Sequence, residues 1–221
     1  MASPEFMGVT LTGLDEFMPL DDIQALGRMP DVELGFLYSL DAQGPRFVSL
    51  PWLLSTLPRL QCRVALHVCG ASARRQLVNG DLSDCMPWLA RVQVNGPVGG
   101  SELQTLADRV PQLITQHDTH NEPLAATAVS RHAVLVDGSG GLGILPTRWA
   151  RPDTTKPVGF AGGLSLTNLP MQLSRISAVA TGAWWIDLET GLRTKNDRFD
   201  PAEARCVANL VAKLAAAAFA V

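Results

Sequence analysis

Short apolar runs rich in β-branched residues alternate along this chain with amphipathic stretches, and that alternation limits the fold more than any other feature. Val9–Thr12 is followed by the amphipathic Ile23-Gln24-Ala25-Leu26 and then by the run Val32–Leu37. Further strands are expected at Val64–Cys69, Val92–Asn95, Leu113–Gln116, Ala133–Asp137, Val158–Ala161 and Trp184–Asp187. Eight strands separated by helical stretches are what a closed parallel barrel requires, so the expected fold is a single α/β (β/α)8 TIM barrel. The last helix is the plainest: Asp200 caps, Pro201 suits the first turn, Glu203 completes a capping box, and Val207, Leu210, Val211 and Leu214 recur at helical spacing. The helix after the third strand and the stretch from Gly96 to Arg109 are shorter.

Residues 1–6, Met-Ala-Ser-Pro-Glu-Phe, look like a cloning-site remnant ahead of Met7, which leaves 7–221 as one barrel domain with no low-complexity linker. A formal net charge of −3 and the lack of a Lys/Arg stripe argue against nucleic acid or an anionic membrane as partner. No apolar run approaches the roughly 18 residues of a membrane span, and the expected location is cytoplasmic. Cys62, Cys69, Cys85 and Cys206 fit no metal or redox spacing and are expected as reduced thiols; no cofactor is implied.

Side chains two apart on a strand share a face, and one face of each barrel strand points inward. Thr10 and Thr12 lie opposite Val9 and Leu11, His67 and Cys69 opposite Leu66 and Val68, and Gln93 and Asn95 opposite Val92 and Val94. Asp137 and Asp187 close the sixth and eighth strands on the same parity. Polar groups so placed meet at the carboxyl ends of the strands, where barrels keep their reactive groups, although any single one could equally hold loop backbone. Gly162-Gly163 follows the seventh strand and Thr190-Gly191 the eighth, and backbone without Cβ there suits close approach to a phosphate. Arg193 either reaches the same anion or is merely exposed. Of Trp184 and Trp185 one must point into the barrel; if it is Trp185, it either fills the core or stacks on a planar ligand.

In order and spacing these segments resemble phosphoribosylanthranilate isomerase. Gly44-Pro45-Arg46-Phe47-Val48-Ser49 is similar to that family's Ser-Pro-Arg-Tyr-Val-Ser loop, and Val92-Gln93-Val94-Asn95-Gly96 to its Val-Gln-Leu-His-Gly strand. Leu135-Val136-Asp137 with Gly140-Gly141-Leu142-Gly143 is similar to Leu-Leu-Asp with Gly-Gly-Thr-Gly. Phe160-Ala161-Gly162-Gly163-Leu164 is similar to Leu-Ala-Gly-Gly-Leu, and Asp187-Leu188-Glu189-Thr190-Gly191-Leu192 to Asp-Val-Ser-Ser-Gly-Val. The resemblance implies an Amadori-type ring opening of a small phosphorylated sugar, with Asp137 as the acid and Arg46 on a substrate carboxylate. It implies His67, Gln93, Asn95 and Asp187 around the ligand, and Gly162, Gly163, Thr190 and Gly191 around the phosphate. An Asp at position 137 that only caps the following loop is the alternative.

The first strand departs from the pattern. Where the family carries Lys-Ile-Cys-Gly, this chain has Thr10-Leu11-Thr12-Gly13, so Thr12 stands in place of the cysteine base and Thr10 in place of the lysine. An unassisted alcohol is too weak a base to take a carbon-bound proton, whereas a thiol titrates near about 8.5. Cys69 is the residue that could compensate, with His67 about 6–7 Å away along the strand, or it is a plain buried thiol. Two functions remain open: an isomerase with altered reaction or substrate, and a non-catalytic barrel that binds a ligand or partner.

Overall fold

The computed structural model describes residues 3–219 except 138 and 140. Its eight parallel strands close into one barrel in sequence order: β1 (Glu5–Thr12), β2 (Val32–Ser39), β3 (Arg63–Cys69), β4 (Arg91–Val94), β5 (Leu113–His117), β6 (His132–Val136), β7 (Val158–Phe160) and β8 (Ala183–Leu188). The chain is a (β/α)8 TIM barrel. Helices α1 (Leu20–Gly27), α2 (Leu50–Thr56), α3 (Ala71–Asn79), α4 (Gly100–Arg109), α5 (Leu169–Ser177) and α6 (Pro201–Phe219) follow strands β1, β2, β3, β4, β7 and β8. The ends of these helices follow local chemistry. Ser49 accepts the Trp52 N–H at the start of α2, Asp200 accepts those of Ala202 and Glu203 at the start of α6, and Gly80 ends α3 in the left-handed region.

The outer ring departs from expectation beyond β5 and β6, where the described residues include only a 3-10 turn at Glu122–Ala126 and no α-helix before β7. The stretch between β6 and β7 carries Pro146, Pro152 and Pro157 among glycines, which removes the helical period. Side chains cover the barrel there instead. Trp149 packs edge-on to Phe160 and donates to Gln172, while Lys156 donates to Leu124 O, Thr127 and His132, whose other nitrogen meets Thr115. Glu5 and Phe6, ahead of Met7, extend β1 and pair with Ala183 and Trp184 of β8. No helix among the described residues is long and apolar enough to cross a membrane.

Two apolar cores result. The larger lies between the strands' outer faces and the helices; the smaller, inside the barrel, comprises Ile114, Ala133, Leu135, Ala161 and Trp185. Trp185 is therefore the inward member of the tryptophan pair. Gly159 makes room for it, since a Cβ there would stand 2.4 Å from the indole. Its face is covered by Arg91, 4.2 Å from the ring centroid, so it fills the core below the mouth. Arg91 in turn forms a buried, bidentate pair with Glu33, and Thr10 joins both. Thr10 thus belongs to a polar layer near the amino ends of the strands, separated from the residues at the carboxyl ends.

Candidate functional site

The carboxyl ends of the strands bring together Thr12, His67, Gln93, Asp137 and Asp187, with Asn95 one residue beyond β4. All but Thr12, which lies behind Asp187, line a cavity of about 50 Å³ that also touches Gln116, Gly162, Gly163, Glu189 and Thr190. A larger cavity, about 730 Å³, lies at the opposite end among residues preceding β6, β7 and β8. There Arg151 and Lys156 are engaged in holding loop carbonyls, so their charge serves the fold. The small cavity is the one lined by reactive groups.

At its floor the Thr12 hydroxyl donates to Asp187 Oδ1 at 2.7 Å. Gly35 permits this arrangement, because a Cβ there would lie 2.4 Å from Thr12 Oγ1. Asp187 Oδ2 faces His67 Nε2 at 3.7 Å. Burial pushes the Asp187 proton affinity up to about 7, against the Thr12 hydrogen bond, which lowers it. Burial, aided by the charge of Arg91, lowers His67 to about 3, so the ring is neutral near pH 7. Two polar atoms at this depth meet no partner, His67 Nε2 and Gln93 Oε1, on side chains each 3% exposed.

The surroundings of Cys69 do not activate it as a replacement base. Its sulfur donates to the His67 carbonyl and accepts from Asn95, while the His67 ring points to Asp187. Burial and then the Glu189 charge push the thiol up to about 12, too high for a thiolate near neutrality. We expect Cys69 to stay unlabelled by a thiol reagent at pH 8 while exposed Cys206 reacts fast. Stoichiometric labelling with and without Cys206→Ser checks this, and a second fast site mapped to Cys69 would contradict it.

Three further expectations are corrected by where hydrogen bonds go. Asp137 accepts the Ser139 N–H and hydroxyl on one oxygen and the Gly141 N–H on the other, at 2.7–3.0 Å, which is how a carboxylate caps a loop. Arg46 donates through Nη1 to Glu189 and through Nε and Nη2 to Asp197, so internal carboxylates hold the group expected on a ligand. Arg193, neither exposed nor near an open anion site, is a 3% exposed staple between Asp197 and the Gly13 carbonyl.

The glycines expected around a phosphate are tightly packed. Gly162, Gly163 and Thr190 line the mouth, Gly143–Leu145 lies against them, and Gly191 packs against Leu164. The place of a Gly163 Cβ is 2.5 Å from Leu145 N and 2.9 Å from Gly143 O, and that of a Gly143 Cβ is 2.5 Å from Thr190 Oγ1. The place of a Gly191 Cβ is 2.3 Å from the Leu164 carbonyl. Glu189, at the position where the resemblance has a serine, adds a carboxylate to the same lining; burial raises its proton affinity although Arg46 lowers it.

Gln116 and Glu189 join the site, and the Glu33–Arg91 pair lies below it, without a motif that announces them. Inward parity reaches Gln116 two residues after Ile114 and Arg91 two before Gln93; nothing local marks Glu189.

Solved structures match this architecture along nearly its whole length. TrpF from Jonesia denitrificans superposes with a TM-score of 0.69 at 17% identity, covering 95% of this chain and 98% of its own. The fold is shared with phosphoribosylanthranilate isomerases. The enzyme from Thermus thermophilus gives 0.68 at 19% identity over 94% of this chain and 100% of its own, and that from Thermotoga maritima 0.66 at 12% over 94% and 99%. Neither a family model nor a curated protein matches the sequence. At such identities the likeness is one of fold.

Proposed function

We propose that this barrel is an isomerase-type enzyme that moves a proton on a small sugar-like molecule at the mouth, with Asp187 as the proton-transfer group. The observation that carries the proposal is a buried carboxylate at the strand ends whose proton titrates at about 7, where one group can both take and return a proton near neutrality. Thr12, in the place that the resemblance gives to the base, donates to this carboxylate and orients it. His67 stands on its other side as a neutral ring. The basic group is thereby transferred from β1 to β8.

The reaction implied by the resemblance is expected to be absent or very slow. One phosphoribosylanthranilate isomerase of this fold was solved with reduced 1-(o-carboxyphenylamino)-1-deoxyribulose 5-phosphate. A ligand of that kind carries a carboxylate and a phosphate. Here Arg46 must leave Glu189 and Asp197 before it meets the one, and the other would enter a mouth of only about 50 Å³ lined by Glu189.

Incubation with aldoses, ketoses and amino sugars, with and without phosphate, in deuterated water tests the proposal whatever the product is. Mass spectrometry should find carbon-bound deuterium in at least one, and Asp187→Asn should lower the rate on the order of a hundredfold or more. Exchange that persists undiminished in Asp187→Asn would remove Asp187 from the chemistry. A second reading, a ligand-binding barrel without turnover, draws on the engagement of both Asp137 and Arg46 by internal partners. Ligand binding with no exchange in any compound would establish it.

A further inference from the structure

The mouth has a charge and hydrogen-bonding character that specifies what it can hold. Among the described residues that line it, three are carboxylic acids, Asp137, Asp187 and Glu189, and none is lysine or arginine. Asp137 is occupied by loop N–H groups and Glu189 by Arg46, which leaves Asp187 as the acid facing the interior. Around it stand the two unpartnered atoms, Gln93 Oε1 and His67 Nε2, each on a deeply buried side chain. An amide oxygen accepts only, and a neutral imidazole with its proton on Nδ1 presents a lone pair at Nε2. With the ring proton on Nδ1 and Asp187 ionised, the two and Asp187 Oδ2 form a set of acceptors that lacks a donor.

We infer that the mouth receives the primary ammonium group of a small hydroxylated amine, held among Asp187, Gln93 and His67, and that it excludes phosphorylated and carboxylated molecules. The inference rests on Asp187 as the working group of the site. An ammonium group brings three N–H donors, no acceptor and a positive charge, which is the complement of this lining. A metal ion lacks the ligands it needs, because no group of three His, Cys, Asp or Glu among the described residues is placed to hold one. An anion would face Asp187 and Glu189 and meet no lysine or arginine in the lining. The bound cation would also favour the ionised form of Asp187, so that binding expels its proton and leaves a carboxylate ready to act as base. The molecule to be transformed would thus arm the group that transforms it.

Three molecules on one three-carbon frame and of different charge separate the possibilities: serinol (2-amino-1,3-propanediol), glycerol and glycerol 3-phosphate, with inorganic phosphate as a fourth probe. In calorimetric titrations of the full chain at pH 7, serinol should bind at least about tenfold more tightly than glycerol, and neither phosphate should bind at the mouth. Repetition in buffers of different ionisation enthalpy should show about half a proton released per serinol bound at pH 7, falling towards none near pH 8, above which the amine itself begins to take up a proton on binding. Asp187→Asn should weaken serinol about tenfold or more, and Gln93→Leu several-fold, with both variants checked for folding by circular dichroism. Binding of either phosphate as tightly as serinol, serinol affinity unchanged in both folded variants, or no serinol binding at tens of millimolar would each overturn the inference. Asp187-dependent deuterium exchange on some other compound would, in that case, leave the proton-transfer proposal standing while this ligand class falls.

Discussion

Asp187→Asn should make the protein more stable, not less, by an amount that grows as the pH rises from about 4 to about 7. Burial raises the Asp187 pKa from 3.8 to about 7 in the folded chain, so between those values the folded state holds a proton that the unfolded state has lost. Stability then falls as pH rises, at about 1.4 kcal/mol per pH unit, which amounts to about 4 kcal/mol by pH 8. An asparagine keeps an oxygen for the Thr12 hydroxyl and offers an N–H towards His67 Nε2, without the charge. At pH 8 the variant should gain up to about 4 kcal/mol, or roughly 10 °C in Tm for a chain of this length, and the gain should vanish below about pH 4. The histidines act in the opposite sense. Burial holds His67 at about 3 and His132 at about 4, below 6.5, so each adds stability above pH 6.5 that is lost as the pH falls towards its folded value. With these three groups the wild-type optimum lies near pH 6.5, and in Asp187→Asn the decline above it should flatten. Urea unfolding of both proteins from pH 4 to 9 checks this. Equal stability at pH 8 would mean that the carboxylate is already solvated, and its role as a proton-transfer group near neutrality would go with it.

The same carboxylate shows how far the sequence could be read. Its inward direction, and those of Thr12, His67, Gln93 and Asn95, follow from strand parity, a local property independent of the partner strand. What each group does was not legible, because it is decided by partners far along the chain. Thr12 meets Asp187 across 175 positions, Arg46 meets Asp197 across 151, and nothing in Gly44–Ser49 signals that the arginine is already paired. Asp137 was ambiguous for the converse reason. Its loop-capping partners, Ser139 and Gly141, are two and four residues away, but an inward aspartate at a strand end reads the same whether it caps or reacts. The gap in the outer ring was available in principle, since Pro146, Pro152 and Pro157 forbid a regular helix before β7. Strand-end motifs shared with a known barrel say nothing about the segments between them.

Arg91→Met should cost about 3–5 kcal/mol, because it leaves Glu33 charged inside the barrel with its partner gone. Arg63 cannot take over: it meets the other oxygen of Glu33 at 3.5 Å from a side chain that is 58% exposed. The Trp185 face also loses the guanidinium that covers it. A fall in Tm of roughly 10 °C or more is expected by calorimetry at pH 7. The double variant Glu33→Leu with Arg91→Met should return to within about 1–2 kcal/mol of the wild type, since the expense of a buried pair lies in desolvation and disappears when both charges do. A single Arg91→Met within about 1 kcal/mol of wild type would show that water reaches Glu33. The pair also bears on the mouth above it. Arg91 lowers the Asp187 pKa and Glu33 raises it, so the two charges oppose each other there. Loss of Arg91 alone should therefore move the acid limb of the deuterium-exchange profile upward, and loss of both should move it less. A purely structural pair would change stability in these variants and leave that profile untouched.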